Sequence, residues 1–168
     1  MTEDTPWLAA DELEAWVSLA SLVVALPQAI DRQLKRDSGL NFFEYSILSG
    51  LSREPGRAMQ LSVLADLAAG SLSRISHAVS RLEQQGWVQR RTCDAETRVV
   101  HAALTDAGMA KLVEAAPAHV REARRLVVDA LSPAELTQLK VICRKLVAAA
   151  SPATACLLER VLSSNPGA

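Results

Sequence analysis

The chain is poor in the residues that announce several common functions. Aromatic residues are only 4% of its 168 positions, and cysteine occurs three times, at Cys93, Cys143 and Cys156. An odd number of cysteines at wide spacing argues against a disulfide framework. Cys93 and His101 have no second pair at ligand spacing to complete a metal site, so Cys93 reads as a solvated thiol. Cys143 and Cys156 fall in apolar registers and are expected in the core. No glycine-rich phosphate loop, carboxylate pair or Ser/His/Asp arrangement is present, so no catalysis and no cofactor are expected. No apolar run reaches the roughly 18 residues that a membrane span needs. The start, MTEDTPWLAADELEAW, is acidic where a signal peptide is basic. A cytoplasmic protein with no membrane partner is the expectation. The net charge of −1 does not by itself announce nucleic acid.

What is abundant is Leu, Ala and Val, which carry most of a hydrophobic fraction of 49%. That composition favours helices packed on helices. Over 10–35, Leu13, Trp16, Val17, Ala20, Val23 and Val24 recur at helical spacing, with a kink or break expected at Pro27. This stretch is apolar on more than one face. A single-chain core needs only one such face, so the surplus points to a second subunit.

Local signals place the remaining elements. Asn41 and Glu44 form a capping box for a helix over 42–53, and a short extended piece follows near 57–60. A short helix beginning at Leu61 stops at Gly70. Ser71 caps the next helix, which runs to Gln85 and ends at Gly86. Two β-prone runs, 87–91 and 98–104, flank a polar loop. Thr105 caps a helix over 106–130 that Pro117 is expected to kink. Ser132, Pro133 and Glu135 start another helix, and Ser151 with Pro152 restarts a last one.

The helix over 71–85 carries the clearest chemistry. Leu72, Ile75, Val79 and Leu82 make one apolar stripe. The other face shows Ser71, Ser73, Arg74, Ser76, His77, Ser80 and Arg81, with no acid before Glu83. Short hydrogen-bonding side chains and two cations suit an anionic partner with hydrogen-bonding edges, as a DNA major groove offers. Arg74 and Arg81 can reach guanine edges or phosphates; the competing reading pairs Arg81 with a nearby acid such as Asp66. Arg90 and Arg91 alternate along a strand, so one of them faces DNA and the other is solvated. Arg98, near the wing tip, could enter a minor groove. Two helices followed by a hairpin form a winged helix–turn–helix.

These stretches carry a family likeness. LNFFEYSILSGLSREPGRAM, LSVLADLAAGSLSRISHAVSRLEQQGWVQRR and VHAALTDAG occur in the order and spacing of the MarR family of winged-helix transcriptional regulators, which the run over 40–112 resembles. The resemblance implies a mainly α fold with a small β-wing. It implies three segments: an N-terminal dimerisation helix over 1–37, a winged helix–turn–helix lobe over 38–106 and C-terminal dimerisation helices over 107–168. It further implies a homodimeric repressor that binds a pseudo-palindromic double-stranded DNA operator and is released by a small aromatic or phenolic ligand. Trp16, Phe43 and His77 are candidates to line that ligand's pocket; ordinary core is the alternative for Trp16 and Phe43. The chain departs from the pattern at the wing tip, where Glu96, Thr97 and Arg98 stand in place of Asp-Arg-Arg. Arg98 matches the family's wing-tip arginine, but one cation is lost. The rival from another class is a winged-helix module that binds protein rather than DNA.

Overall fold

A computed structural model describes residues 5–67, 70–92 and 99–163. The elements, in order, are α1 (Ala10–Ser38), α2 (Phe42–Ser52), β1 (Ala58–Gln60), α3 (Leu61–Leu67), α4 (Leu72–Gln84), β2 (Val88–Thr92), β3 (Val100–Leu104), α5 (Asp106–Ala123), α6 (Pro133–Ala150) and α7 (Pro152–Ser163). The fold is mainly helical with one small antiparallel sheet of order β1-β3-β2. The wing is therefore three-stranded. The extended piece after α2 joins it as an edge strand, with Met59 opposite Ala102. In the hairpin, Arg90 lies opposite Ala102 and Arg91 opposite His101.

Helix starts follow the local chemistry. Asn41 Oδ1 accepts from Glu44 N at 2.8 Å, and Glu44 Oε2 accepts from Asn41 N at 3.0 Å. Thr105 Oγ1 accepts from Gly108 N at 3.0 Å, and Ser132 Oγ from Glu135 N at 3.3 Å. Each bond satisfies an amide that the first helical turn leaves without a partner.

Both internal prolines stay inside their helices. α1 runs unbroken through Pro27 as 29 residues, and α5 continues through Pro117. Pro27 removes one intrahelical bond, to the Val23 carbonyl, in an exposed part of the helix where that loss is tolerated. α5 gives way later instead, in a π-helical turn over Arg124–Val128.

The core lies in the middle of the chain. Leu34, Leu40, Ile47, Leu48, Leu51, Ile75 and Val79 are wholly buried, and α2 is packed between α1, α4, α5 and the sheet. Ile30 and Leu34 of α1, with Leu112 and Ala115 of α5, belong to this core. The lobe's packing thus reaches past both 37 and 106.

The two ends of the chain are different. The N-terminal part of α1 exposes Leu13, Trp16, Val17, Leu22, Val23 and Val24, and α6 exposes Val141, Ile142 and Leu146. Neither α6 nor α7 has a buried residue. Cys143 and Cys156 are exposed in the single chain, contrary to the core position their registers suggested. An apolar stripe reads the same in sequence whether its own chain or another covers it. α1 also contains a window of mean hydropathy 1.6, of which 6% is buried, long and apolar enough to cross a membrane by length and composition. Uninterrupted apolar runs in this helix stay short, because polar residues such as Ser18, Ser21 and Gln28 break them without lowering the mean far.

Candidate nucleic-acid interface

α4 is held at both ends. Ser71 Oγ accepts from Arg74 N at 3.2 Å and caps the start. At the other end Gly86 takes φ of +72°, and Trp87 N donates to Leu82 O at 2.9 Å. A residue with a Cβ is strained at that φ, so glycine ends the helix and turns the chain into β2. Thr105 then closes the wing, donating from its hydroxyl to Gly86 O at 2.7 Å and from its amide to Trp87 O at 3.1 Å.

Ile75, Ala78, Val79 and Leu82 form the buried side of α4. Leu72, expected in that stripe, is instead 56% exposed. It sits in the first turn, and Ala78, between Ile75 and Leu82, completes the buried side instead. On the opposite side Ser73, Arg74, His77 and Arg81 are exposed with Ser71, whereas Ser76 and Ser80 are half-buried.

The cations of this region have distinct partners. The Arg74 guanidinium stands over the Phe43 ring, 4.3 Å from its centre, and among the described residues it has no carboxylate partner. Arg81 Nε donates to Glu44 Oε1 at 2.9 Å, so α4 is tied to the capping box of α2 while 57% of the arginine side chain stays exposed. The partner is Glu44 rather than Asp66. The capping box signalled Glu44 as a local device, but nothing local signalled a second role 37 residues away.

Arg90 is turned inward. Its Nη1 pairs with Glu83 Oε2, and its amide donates to Glu83 Oε1 at 3.0 Å. Its Nη2 donates to Ser76 O and to Ser80 Oγ, each at 2.9 Å. Strand alternation placed one of Arg90 and Arg91 outward; Arg91 is the exposed one. Glu83, the lone acid of α4, faces the strand and not the open side. Arg98 and Cys93, with Glu96 and Thr97, lie outside the described residues.

A cleft of about 990 Å³ opens between α1, α2 and α4. Phe43, Arg74, His77 and Arg81 line it, with Lys35 and Asp31 from α1. Asp31 accepts from Lys35 Nζ at 2.7 Å and from Phe42 N at 3.0 Å, and these bonds hold its carboxyl below the usual carboxylate range. With Lys35 paired to Asp31, the carboxylate that lines this cleft, and Arg81 paired to Glu44, Arg74 supplies its uncompensated positive charge. Of the three pocket candidates, Phe43 and His77 meet here. Trp16 does not: it stands 59% exposed on the N-terminal part of α1.

Behind the cleft, His119 of α5 packs against Tyr45 with the rings tilted by 45° and their centres 4.3 Å apart. Burial lowers the His119 pKa, and its Nδ1 has no hydrogen-bond partner.

No protein-family model matches the chain. Solved structures and curated proteins do. A MarR family transcriptional regulator of Streptomyces coelicolor, Sco3205, solved in complex with DNA, is 37% identical, with 89% of this chain and 94% of that chain covered and a TM-score of 0.83. AbsC, a MarR family regulator of the same organism, is 33% identical, covering 85% of this chain and 96% of that chain at a TM-score of 0.78. The transcriptional repressor MprA of Escherichia coli K12 is 30% identical over 115 residues, which are 68% of this chain and 65% of that protein. The matched part thus spans just under two thirds of the curated repressor.

Proposed function

From the premise that this chain belongs to the MarR family of transcriptional regulators, we propose that it is a cytoplasmic DNA-binding repressor that works as a homodimer. The observation that carries this reading is the open face of α4, where Ser71, Ser73, Arg74, His77 and Arg81 present hydrogen-bonding groups and cations with no exposed carboxylate among them. Such a face suits a major groove, whose base edges offer donors and acceptors between two rows of phosphates. Two copies related by a two-fold axis place two such helices on half-sites about one helical turn apart, hence a pseudo-palindromic operator. The exposed apolar faces of α1 and α6 supply what the second copy would cover. Burial against water favours that cover over leaving these side chains solvated.

The cleft supports a ligand reading. Its two phenylalanines, Phe42 and Phe43, and uncompensated guanidinium fit a small aromatic or phenolic anion. A ligand that favours one arrangement of lobe against dimer base would release DNA by shifting the population, because only one spacing of the two α4 helices fits successive grooves.

The test is fluorescence anisotropy on duplexes selected by the protein from a randomised pool. Tight binding that weakens steeply with added KCl is expected, because neutralised phosphates release counterions. A chain that enriches no duplex at low salt, and binds none, is not this regulator.

A further inference from the structure

Arg90 is one of five arginines that the sequence places between α4 and the end of the wing, and all five look alike as groups for meeting phosphate. Their surroundings separate them. Among the four that are described, Arg90 alone is closed in on several sides: its side chain is 28% exposed and ion-paired to Glu83, while its Nη2 is shared between a carbonyl and a hydroxyl of α4. A contact to phosphate would fall to the donors these bonds leave over, Nε–H and one N–H of Nη1, on a guanidinium already held toward α4.

We infer that Arg90 is a positioning residue of the DNA-reading face: it fixes α4 to β2 and sets the hydrogen-bonding polarity of Ser76 and Ser80. The inference rests on the DNA-binding reading above. The polarity follows from counting. The Ser80 hydroxyl donates its proton to Ser76 O at 2.9 Å and accepts from Arg90 Nη2 at 2.9 Å. A serine hydroxyl has one proton and two lone pairs, so Ser80 keeps only a lone pair and can act outward only as an acceptor. Ser76 Oγ receives a longer contact from Arg90, 3.4 Å, and its proton is not spent among the described residues. Ser76, unlike Ser80, thereby keeps its proton beside one lone pair, so of the two serines it alone can donate to the acceptors that guanine, adenine and thymine show in the major groove. Arg90 also donates to the Ser76 carbonyl and its own amide donates to Glu83, so strand and helix move as one piece. A lysine cannot reproduce this, because one ammonium cannot span Glu83, the Ser76 carbonyl and the Ser80 hydroxyl as the planar fork does.

The experiment compares Arg90→Lys, Arg90→Gln and Glu83→Gln in the full chain. The probes are a duplex selected from a random pool by the wild type and a shuffled duplex of equal length, each titrated at several KCl concentrations. A positioning role predicts that Arg90→Lys and Glu83→Gln each cut the preference for the selected duplex by about tenfold, the worth of a misplaced base contact. The shuffled duplex and the salt slope should stay as in wild type, and combining the two changes should add nothing. The inference is overturned if Arg90→Lys behaves as wild type while Arg90→Gln weakens both duplexes equally and lowers the salt slope by about 0.9, the signature of one lost phosphate contact. It is also overturned if Glu83→Gln leaves the preference intact. Should the arginine variants fail to fold by thermal melting, Ser80→Ala and Glu83→Gln decide: both must lower preference without altering the shuffled-duplex affinity. A wild type that prefers no duplex removes the DNA reading and this inference together, and that failure is seen before any variant is made.

Discussion

Arg74 reaches across from α4 to the Phe43 ring of α2, its guanidinium carbon 4.3 Å from the ring centre. One cation thus belongs to both the proposed DNA-reading face and the cleft beneath it. An aromatic anion in the cleft and a base edge or phosphate in the groove would draw on the same side chain. Arg74→Ala is expected to lose sequence preference and also to weaken a salicylate probe by about tenfold, the worth of a desolvated cation–π or charged contact. Titration calorimetry and anisotropy measure the two effects on one sample. If salicylate binding were unchanged while DNA preference fell, Arg74 would serve the groove alone.

Gly108 is required by space. A Cβ there would lie 2.0 Å from the Trp87 carbonyl oxygen and 2.7 Å from Leu104 Cδ1. The oxygen is backbone and already accepts from Thr105 N, so it cannot swing aside. Gly108→Ala should therefore destabilise the fold by roughly 1–3 kcal/mol, as overpacking does. Urea unfolding reads this directly, and a midpoint equal to that of wild type would show that α5 can move away from the wing.

His119 predicts an acid-sensitive lobe. Its folded pKa lies below its unfolded value because burial disfavours the charged ring. The unfolded chain then binds the proton more readily, so this stabilisation is complete above about pH 6.5 and is lost as pH falls from there through the folded pKa. The melting temperature should drop between pH 7 and 5, and His119→Phe should flatten that slope while keeping a ring packed against Tyr45. An unchanged slope in the variant would place the acid sensitivity elsewhere.

The uncovered apolar faces predict a dimer that rests on Trp16. Trp16→Ala is expected to raise the dimer dissociation constant by about thirtyfold or more, as loss of a buried aromatic anchor does. Sedimentation at falling protein concentration checks it. Cys143, which follows exposed Val141 and Ile142 on α6, should react slowly with a thiol reagent in the native dimer and quickly in urea. Rapid native labelling, with a monomer at all concentrations, would leave these faces without their proposed cover.

What could be read in the sequence is what short-range chemistry determines. Asn41, Ser71, Thr105 and Ser132 cap the helices they precede because a cap involves residues three apart. The hairpin strands were legible from their β-prone residues, and the buried side of α4 from its period. The ion pairs that orient the face were not: Glu44 meets Arg81 across 37 positions, and Glu83 meets Arg90 around the Gly86 turn. Periodicity also misjudged Leu72, Cys143 and Cys156, because it reports an apolar face and not what lies against it. Pro27 failed to break α1 because a proline's cost is finite and the exposed helix bears it.

That unbroken helix has a mechanical consequence. With 29 residues at a rise of about 1.5 Å each, α1 is a rod about 43 Å long. Its far end carries the uncovered apolar face, and its near end, through Ile30 and Leu34, is part of the lobe's core. Tilting such a rod by about 10° at one end carries the other some 7 Å sideways, roughly two base-pair rises of 3.4 Å. In the proposed homodimer, a change at the crossing of two copies too small to disturb its packing would arrive at the operator as a frame-shift of two letters.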